Sequence, residues 1–180
     1  MDPRPTLRFA EDDGKMNHFA LLNLSPSFNL DLQSLEAAYF TVQRASHPDR
    51  FAARPPAERQ QALQRSADIN HAYNTLKNPL ARAQYLLHLQ GIAVGTEHDS
   101  IKPSPALLME TMEWRERIAE ADAEELDKLD SLLNTMHSQS VETISKTYTS
   151  ADWPAMAQET LRLGYIIKAQ DALHQRRKIL

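Results

Sequence analysis

Cysteine is absent from the 180 residues. That removes disulfides, thiolate nucleophiles and Cys-held zinc or iron–sulfur clusters from the chemistry this chain can carry itself. A basic excess is also missing: the net charge is −4, whereas a protein that grips nucleic acid by neutralising phosphates normally shows the opposite sign. No run of apolar residues approaches the ~20 needed to span a bilayer. The first stretch carries Arg4, Arg8, Glu11, Asp12, Asp13 and Lys15 with no apolar segment among them, which is not the pattern of a secretory signal. The expectation is a soluble, cytoplasmic protein without nucleic-acid or membrane partners.

What is present is an ordinary globular composition. Hydrophobic residues make up 42% and charged residues 24%, too apolar a mixture for disorder along the whole length. The length suits one medium domain or two small ones. Glycine is scarce, with 4 residues, and long helical periodicities dominate, so the chain reads as all-α.

Residues 1–15 read as a flexible polar extension, and Met16 precedes His18-Phe19-Ala20-Leu21-Leu22 closely enough to be an alternative start. A short helix is predicted over Phe19 to Leu22. Asp31 can cap a second over Leu32 to Ala45, with Leu35, Ala38, Tyr39 and Val42 on one face. His47-Pro48 ends it, because the residue before a proline is pushed out of the α region. A third helix is predicted from about Ala57 to Lys77, with Ala62, Ser66, Ile69, Tyr73 and Leu76 inward. Asn78-Pro79 stops it and a shorter helix follows. Between Gly91 and Pro105 the periodicity disappears, which marks a linker over 91–104. Beyond it, Ser104 and Asp152 are candidate caps for helices over Pro105 to Ala121 and Trp153 to about Lys178. A middle helix from Ala123 to about Tyr148 carries Leu126, Leu129, Leu133, Met136 and Ile144. Three helices with short connections predict a bundle over 105–180.

The second and third helices must lie antiparallel to bury their apolar stripes, so His47-Pro48-Asp49 falls in the exposed connection between them. Proline fixes its own backbone angle and restricts its neighbour, which sets the direction of the flanking imidazole and carboxylate. The pair offers a donor and an acceptor for polar recognition of another protein. The same three residues also make an ordinary turn. A catalytic acid–base pair is a third reading, but no serine, cysteine or metal-ligand set accompanies them in sequence.

Helix–His-Pro-Asp–helix resembles the J domain, the module by which co-chaperones dock on DnaK-type ATPases. The run from Ser66 to Leu87, containing Asp68-Ile69-Asn70-His71-Ala72-Tyr73 and Asn78-Pro79-Leu80, is similar to the third and fourth helices of one branch, HscB, the J-protein of bacterial iron–sulfur cluster assembly. Arg50-Phe51 follows His-Pro-Asp where that branch usually has Lys-Phe. The similarity resumes at Leu107 to Glu116, covers most of the chain from Met16 onward and is weakest in the second helix of the bundle. The resemblance implies a J domain over 16–90 that engages the chaperone through His47, Pro48 and Asp49. Arg44 and Arg50 would assist, Arg54 is a further candidate, and the result would be faster ATP hydrolysis by the partner. The second helix, with Glu36 and Arg44 as its ionic residues, is less basic than in general-purpose J domains, which points to a dedicated chaperone of the HscA type.

Placed about 100° apart around a helix axis, Leu107, Thr111, Trp114 and Ile118 share one stripe, while Leu108, Met109 and Met112 share another beside Glu113 and Glu116. Periodicity leaves open whether the second stripe is core or an exposed patch with an acidic rim, the usual look of a protein-binding site. The resemblance implies the latter: Leu108, Met109, Met112, Glu113 and Glu116, completed by Tyr165, match the surface on which the family holds the cluster scaffold protein, IscU. It implies no cofactor and no catalytic residue in this chain. A general J-protein delivering other clients is the alternative, but it often carries Gly/Phe-rich or zinc-binding segments, and neither is present. His18, His71, His88, His98, His137 and His174 are scattered without ligand spacing, so no metal site is expected. Gln175-Arg176-Arg177-Lys178 reads as a basic last turn suited to the helix dipole.

Overall fold

The computed structural model describes residues 17–51, 53–95 and 101–180, with the side chains of Pro48 and Arg50 outside the description. The extension 1–15, Met16 and His98 therefore lie outside the described residues. Those described form helices and no strand: α1 (His18–Leu21), α2 (Leu32–Ser46), a 3-10 turn (Pro48–Phe51), α3 (Pro56–Lys77), α4 (Pro79–His88), α5 (Pro105–Glu120), α6 (Ala123–Thr149) and α7 (Trp153–Arg177). The chain divides into two compact units, Met1–Gln90 and Gly91–Leu180. Gly91 opens the second unit at φ +76°, a backbone angle that only glycine adopts freely.

In the first unit, side chains supply what helix ends leave unbonded. Asn17 accepts the Ala20 amide at 2.8 Å, and Asp31 accepts both the amide and the hydroxyl of Ser34, at 2.9 and 2.6 Å. Those two hydrogen bonds hold the Asp31 carboxyl below the ordinary aspartate range. At the end of α1, Asn23 takes φ +55°. Leu24 N–H then reaches back to Phe19 O at 2.8 Å and Asn23 N–H to Ala20 O at 3.1 Å, the two bonds of a Schellman stop. Asn78 both ends α3 and caps α4, accepting the Ala81 amide at 3.0 Å.

α2 and α3 pair antiparallel. Tyr39 stacks on Tyr73 at 4.3 Å and donates to Asn70 Oδ1 at 2.9 Å, while Ser46 and Ala62 line one depression at the other end. Between them lie buried Leu35, Val42, Ala62, Ile69 and Leu76. The expected inner face of α3 shifts slightly: Ala72 is buried, whereas Ser66 and Tyr73 are half-buried at its edge. Below the hairpin, Phe19, Leu22, Phe28, Leu86 and Leu87 are almost fully enclosed, each such side chain contributing roughly 1.5–3 kcal/mol.

The second unit is a three-helix bundle. Ser104, Asp122 and Asp152 cap α5, α6 and α7 by accepting the amides of Leu107, Glu125 and Ala155. Arg162 pairs with Glu110 at 3.1 Å and Gln158 donates to Lys102 O at 3.3 Å, so α5 and α7 run the same way. Arg177 reaches Asp127 at 2.6 Å and Gln170 reaches Asn134 at 2.8 Å, so α6 runs against α7. The core between them is Trp114 and Ile118, Leu126, Leu129 and Leu133, and Ile166 and Leu173, with Met136 only partly buried at its margin.

Candidate functional site

Two surfaces carry the sequence-predicted residues, one on each unit. At the first, α2 stops at Ser46 because His47, preceding a proline, takes an extended ψ of 130°. The 3-10 turn from Pro48 then leads the chain round towards α3. His47 and Asp49 face outward, with side-chain exposures of 49% and 90%. The Asp49 amide donates to His47 Nδ1 at 3.3 Å, and the Asp49 carboxylate lies 3.5 Å from the same nitrogen. The corner thus presents an imidazole and a carboxylate side by side at the surface.

Arg44 and Arg54 are exposed beside this corner, while the Pro48 and Arg50 side chains lie outside the description. A shallow depression of about 260 Å³, lined by Ala45, Ser46, Phe51, Ala62 and Arg65, lies at the same end of the hairpin. Acid–base catalysis by His47 and Asp49 would need an enclosing substrate pocket, and side chains this exposed are not in one.

On the second unit, α5 divides its apolar residues between two faces. Leu107, Trp114 and Ile118 are buried, whereas Leu108, Met109 and Met112 are 42%, 64% and 60% exposed. Glu113 and Glu116 are exposed on the same side. The stripe that periodicity left open is therefore surface. Tyr165 is half-buried against the core and forms one wall of a groove of about 220 Å³ between α5 and α7. Thr111, Arg115 and Lys168 also line the groove, with the Lys168 ammonium 5.3 Å from the Tyr165 ring centre. Neither Lys168 nor Arg115 was singled out from the sequence. The spacing Tyr165-x-x-Lys168 was a helical-neighbour signal, but its pairing with α5 spans some fifty residues and cannot be read locally.

Residues 103–174 match a family model described as the HSCB C-terminal oligomerisation domain. A co-chaperone protein HscB homolog of Paraburkholderia phymatum is 48% identical over 124 residues, covering 68% of this chain and 70% of its own. The chain belongs to the HscB family. A second HscB homolog, from Burkholderia mallei, is 50% identical over 120 residues, which is 66% of this chain and 68% of that protein. Among solved structures, chaperone HscB from Vibrio cholerae superposes with a TM-score of 0.80 at 33% identity, covering 92% of this chain and all of the other. The human co-chaperone HscB gives a TM-score of 0.85 at 25% identity, covering 100% of this chain and 95% of that one.

As an HscB-family member, the chain has an N-terminal J domain followed by a C-terminal helical bundle. It is a J-protein co-chaperone, which works with a chaperone of the DnaK type. No helix among the described residues is long and apolar enough to cross a membrane. The described residues contain no group of three or more metal-ligating side chains.

Proposed function

We propose that this co-chaperone carries an iron–sulfur scaffold protein of the IscU type on its bundle and delivers it to an HscA-type chaperone in the cytoplasm. The corner His47-Pro48-Asp49, assisted by Arg44 and Arg50, accelerates the chaperone's ATP hydrolysis, which promotes cluster transfer during iron–sulfur protein maturation. The chain catalyses nothing itself and holds no cofactor. Its working parts are a J domain over 16–90, a linker over 91–104 and a scaffold-binding bundle over 105–180.

The observation that carries this reading is the exposure of Leu108, Met109 and Met112 together on α5. Bundle helices bury such residues when they have a neighbour to bury them against. A cluster left outside, with flexible methionines and carboxylates at its rim, is the appearance of a partner surface. Tyr165 extends it with an aromatic wall, the residue type that dominates binding energy when enclosed by a partner. The outward corner supplies the second half of an adaptor.

Titration calorimetry of an IscU-type scaffold with wild type and with the triple variant Leu108→Ala, Met109→Ala, Met112→Ala tests it. Loss of three central contacts should weaken binding at least about 100-fold. The variant's stimulation of the chaperone in the absence of scaffold should be unchanged. Because all three side chains are exposed, its stability should change by no more than about 1 kcal/mol. Undiminished scaffold affinity would contradict the assignment.

A further inference from the structure

We infer that Phe40 is a specificity contact for the chaperone, extending the docking surface of the His47-Pro48-Asp49 corner along the outer face of α2. The inference rests on the proposed role of that corner. Phe40 is 52% exposed, an unusual position for a phenylalanine on a helix whose neighbours are mostly polar or small. Its sequence neighbour Tyr39 turns inward to stack on Tyr73, so among the described residues Phe40 has the Tyr39 ring, 5.3 Å away and tilted by 55°, as its one aromatic neighbour.

Helical geometry gives the exposed ring a direction. Counting about 100° per residue from buried Leu35, Phe40 falls about 140° away and Arg44 about 180° away. Phe40, Arg44 and His47 follow one another at the i, i+4, i+7 spacing of a single face, which ends at the corner. The distance from Phe40 to His47 along the axis is about 10 Å, well inside one interface of roughly 800 Å² per partner. Among the described residues of this unit, the other large exposed apolar side chains are placed differently: Leu32 begins α2 at its far end and Leu63 lies on α3.

Charge explains why an apolar contact is wanted there. Glu36 and Arg44 are the only ionic side chains of α2, so the helix has no net charge with which to attract an acidic surface. A partner recognised along this face must instead offer an apolar patch for the ring, next to the groups that meet the corner. Small Ala37, one turn back, leaves the ring open to it. The occupant is thus the DnaK-type chaperone, which meets the ring with an apolar patch beside the groups that meet Arg44 and the corner.

The test is the steady-state ATPase rate of an HscA-type chaperone titrated with the full chain as wild type, Phe40→Ala, Phe40→Leu, Leu63→Ala and His47→Gln. Circular dichroism confirms that each is folded. Truncating an enclosed aromatic should raise the half-stimulating concentration about tenfold while leaving the maximal rate intact. Phe40→Leu should restore most of the affinity, and Leu63→Ala should titrate like wild type. If Phe40→Ala titrates like wild type while His47→Gln abolishes stimulation, the inference falls and the role of the corner survives. If His47→Gln also stimulates normally, both fall. If Phe40→Ala changes only the sedimentation of the chain and not the titration, the ring belongs to a contact between copies, and the inference is overturned.

Discussion

Arg82 is a buried cation, 6% exposed, at the point where α3 turns into α4. Its guanidinium donates to Leu76 O at 2.8 Å, one of the last four carbonyls of α3, which have no partner within the helix. It also lies 4.9 Å from the Phe28 ring centre, tying the α1–α2 loop to the same point. Burial pushes its pKa down, yet an arginine remains charged at any working pH. A charge-assisted hydrogen bond contributes about 1.5–3 kcal/mol and a desolvated cation–π contact about 0.5–2 kcal/mol. Arg82→Ala forfeits both, leaves the Leu76 carbonyl unpaired and opens a cavity. Relief of the desolvated charge offsets part of the loss, so the net cost should be about 3 kcal/mol, or roughly 12 °C or more in the melting of a domain this size. Arg82→Met keeps the stem and removes the charge, and should fall within about 1.5 kcal/mol of wild type. Urea unfolding followed by far-UV circular dichroism reads the effect. Tryptophan fluorescence supplies a reference, because Trp114 and Trp153 both belong to the second unit. An Arg82→Ala protein that unfolds at the wild-type midpoint would show that the guanidinium does not hold this junction.

Two further predictions concern helix ends. The folded pKa of Asp31 is depressed by its bonds to Ser34, so its cap stabilises fully above the unfolded aspartate value and is lost as pH falls through the folded one. The difference in unfolding midpoint between wild type and Asp31→Asn should therefore shrink below about pH 4. At the α6–α7 turn, Ala151 takes φ +55° in a Schellman stop in which Asp152 N–H meets Thr147 O at 2.9 Å. A left-handed angle costs an L-residue about 1–2 kcal/mol, while glycine adds unfolded-state entropy of about 0.4–1 kcal/mol. Ala151→Gly should stabilise by about 0.5–1 kcal/mol, measured as a raised urea midpoint with unchanged slope.

Much of this was legible because it is local chemistry. Asp31, Ser104 and Asp152 announce helix starts, and His47-Pro48 and Asn78-Pro79 announce stops, so the expected boundaries fall within one or two residues of those observed. Long-range pairings were not legible. Nothing near Arg82 in sequence says that a cation flanked by Ala81 and Ala83 is buried, because its partners lie at Phe28 and Leu76. The same holds for Ser140, which is 2% exposed and donates to Glu159 at 2.5 Å across α6 and α7. The face of α5 was ambiguous for a different reason. Both its stripes are apolar, and only the packing of α6 and α7 decides which is covered.

The account depends most on an exposed corner acting on a foreign ATPase. The direct measurement is the steady-state ATPase rate of an HscA-type chaperone with an IscU-type scaffold and either wild type or His47→Gln. Wild type should raise the rate. His47→Gln should leave it at the unstimulated level while binding scaffold and unfolding as wild type does, because the substituted side chain is exposed and belongs to the first unit, not to the bundle. Equal stimulation by the two proteins would contradict the account.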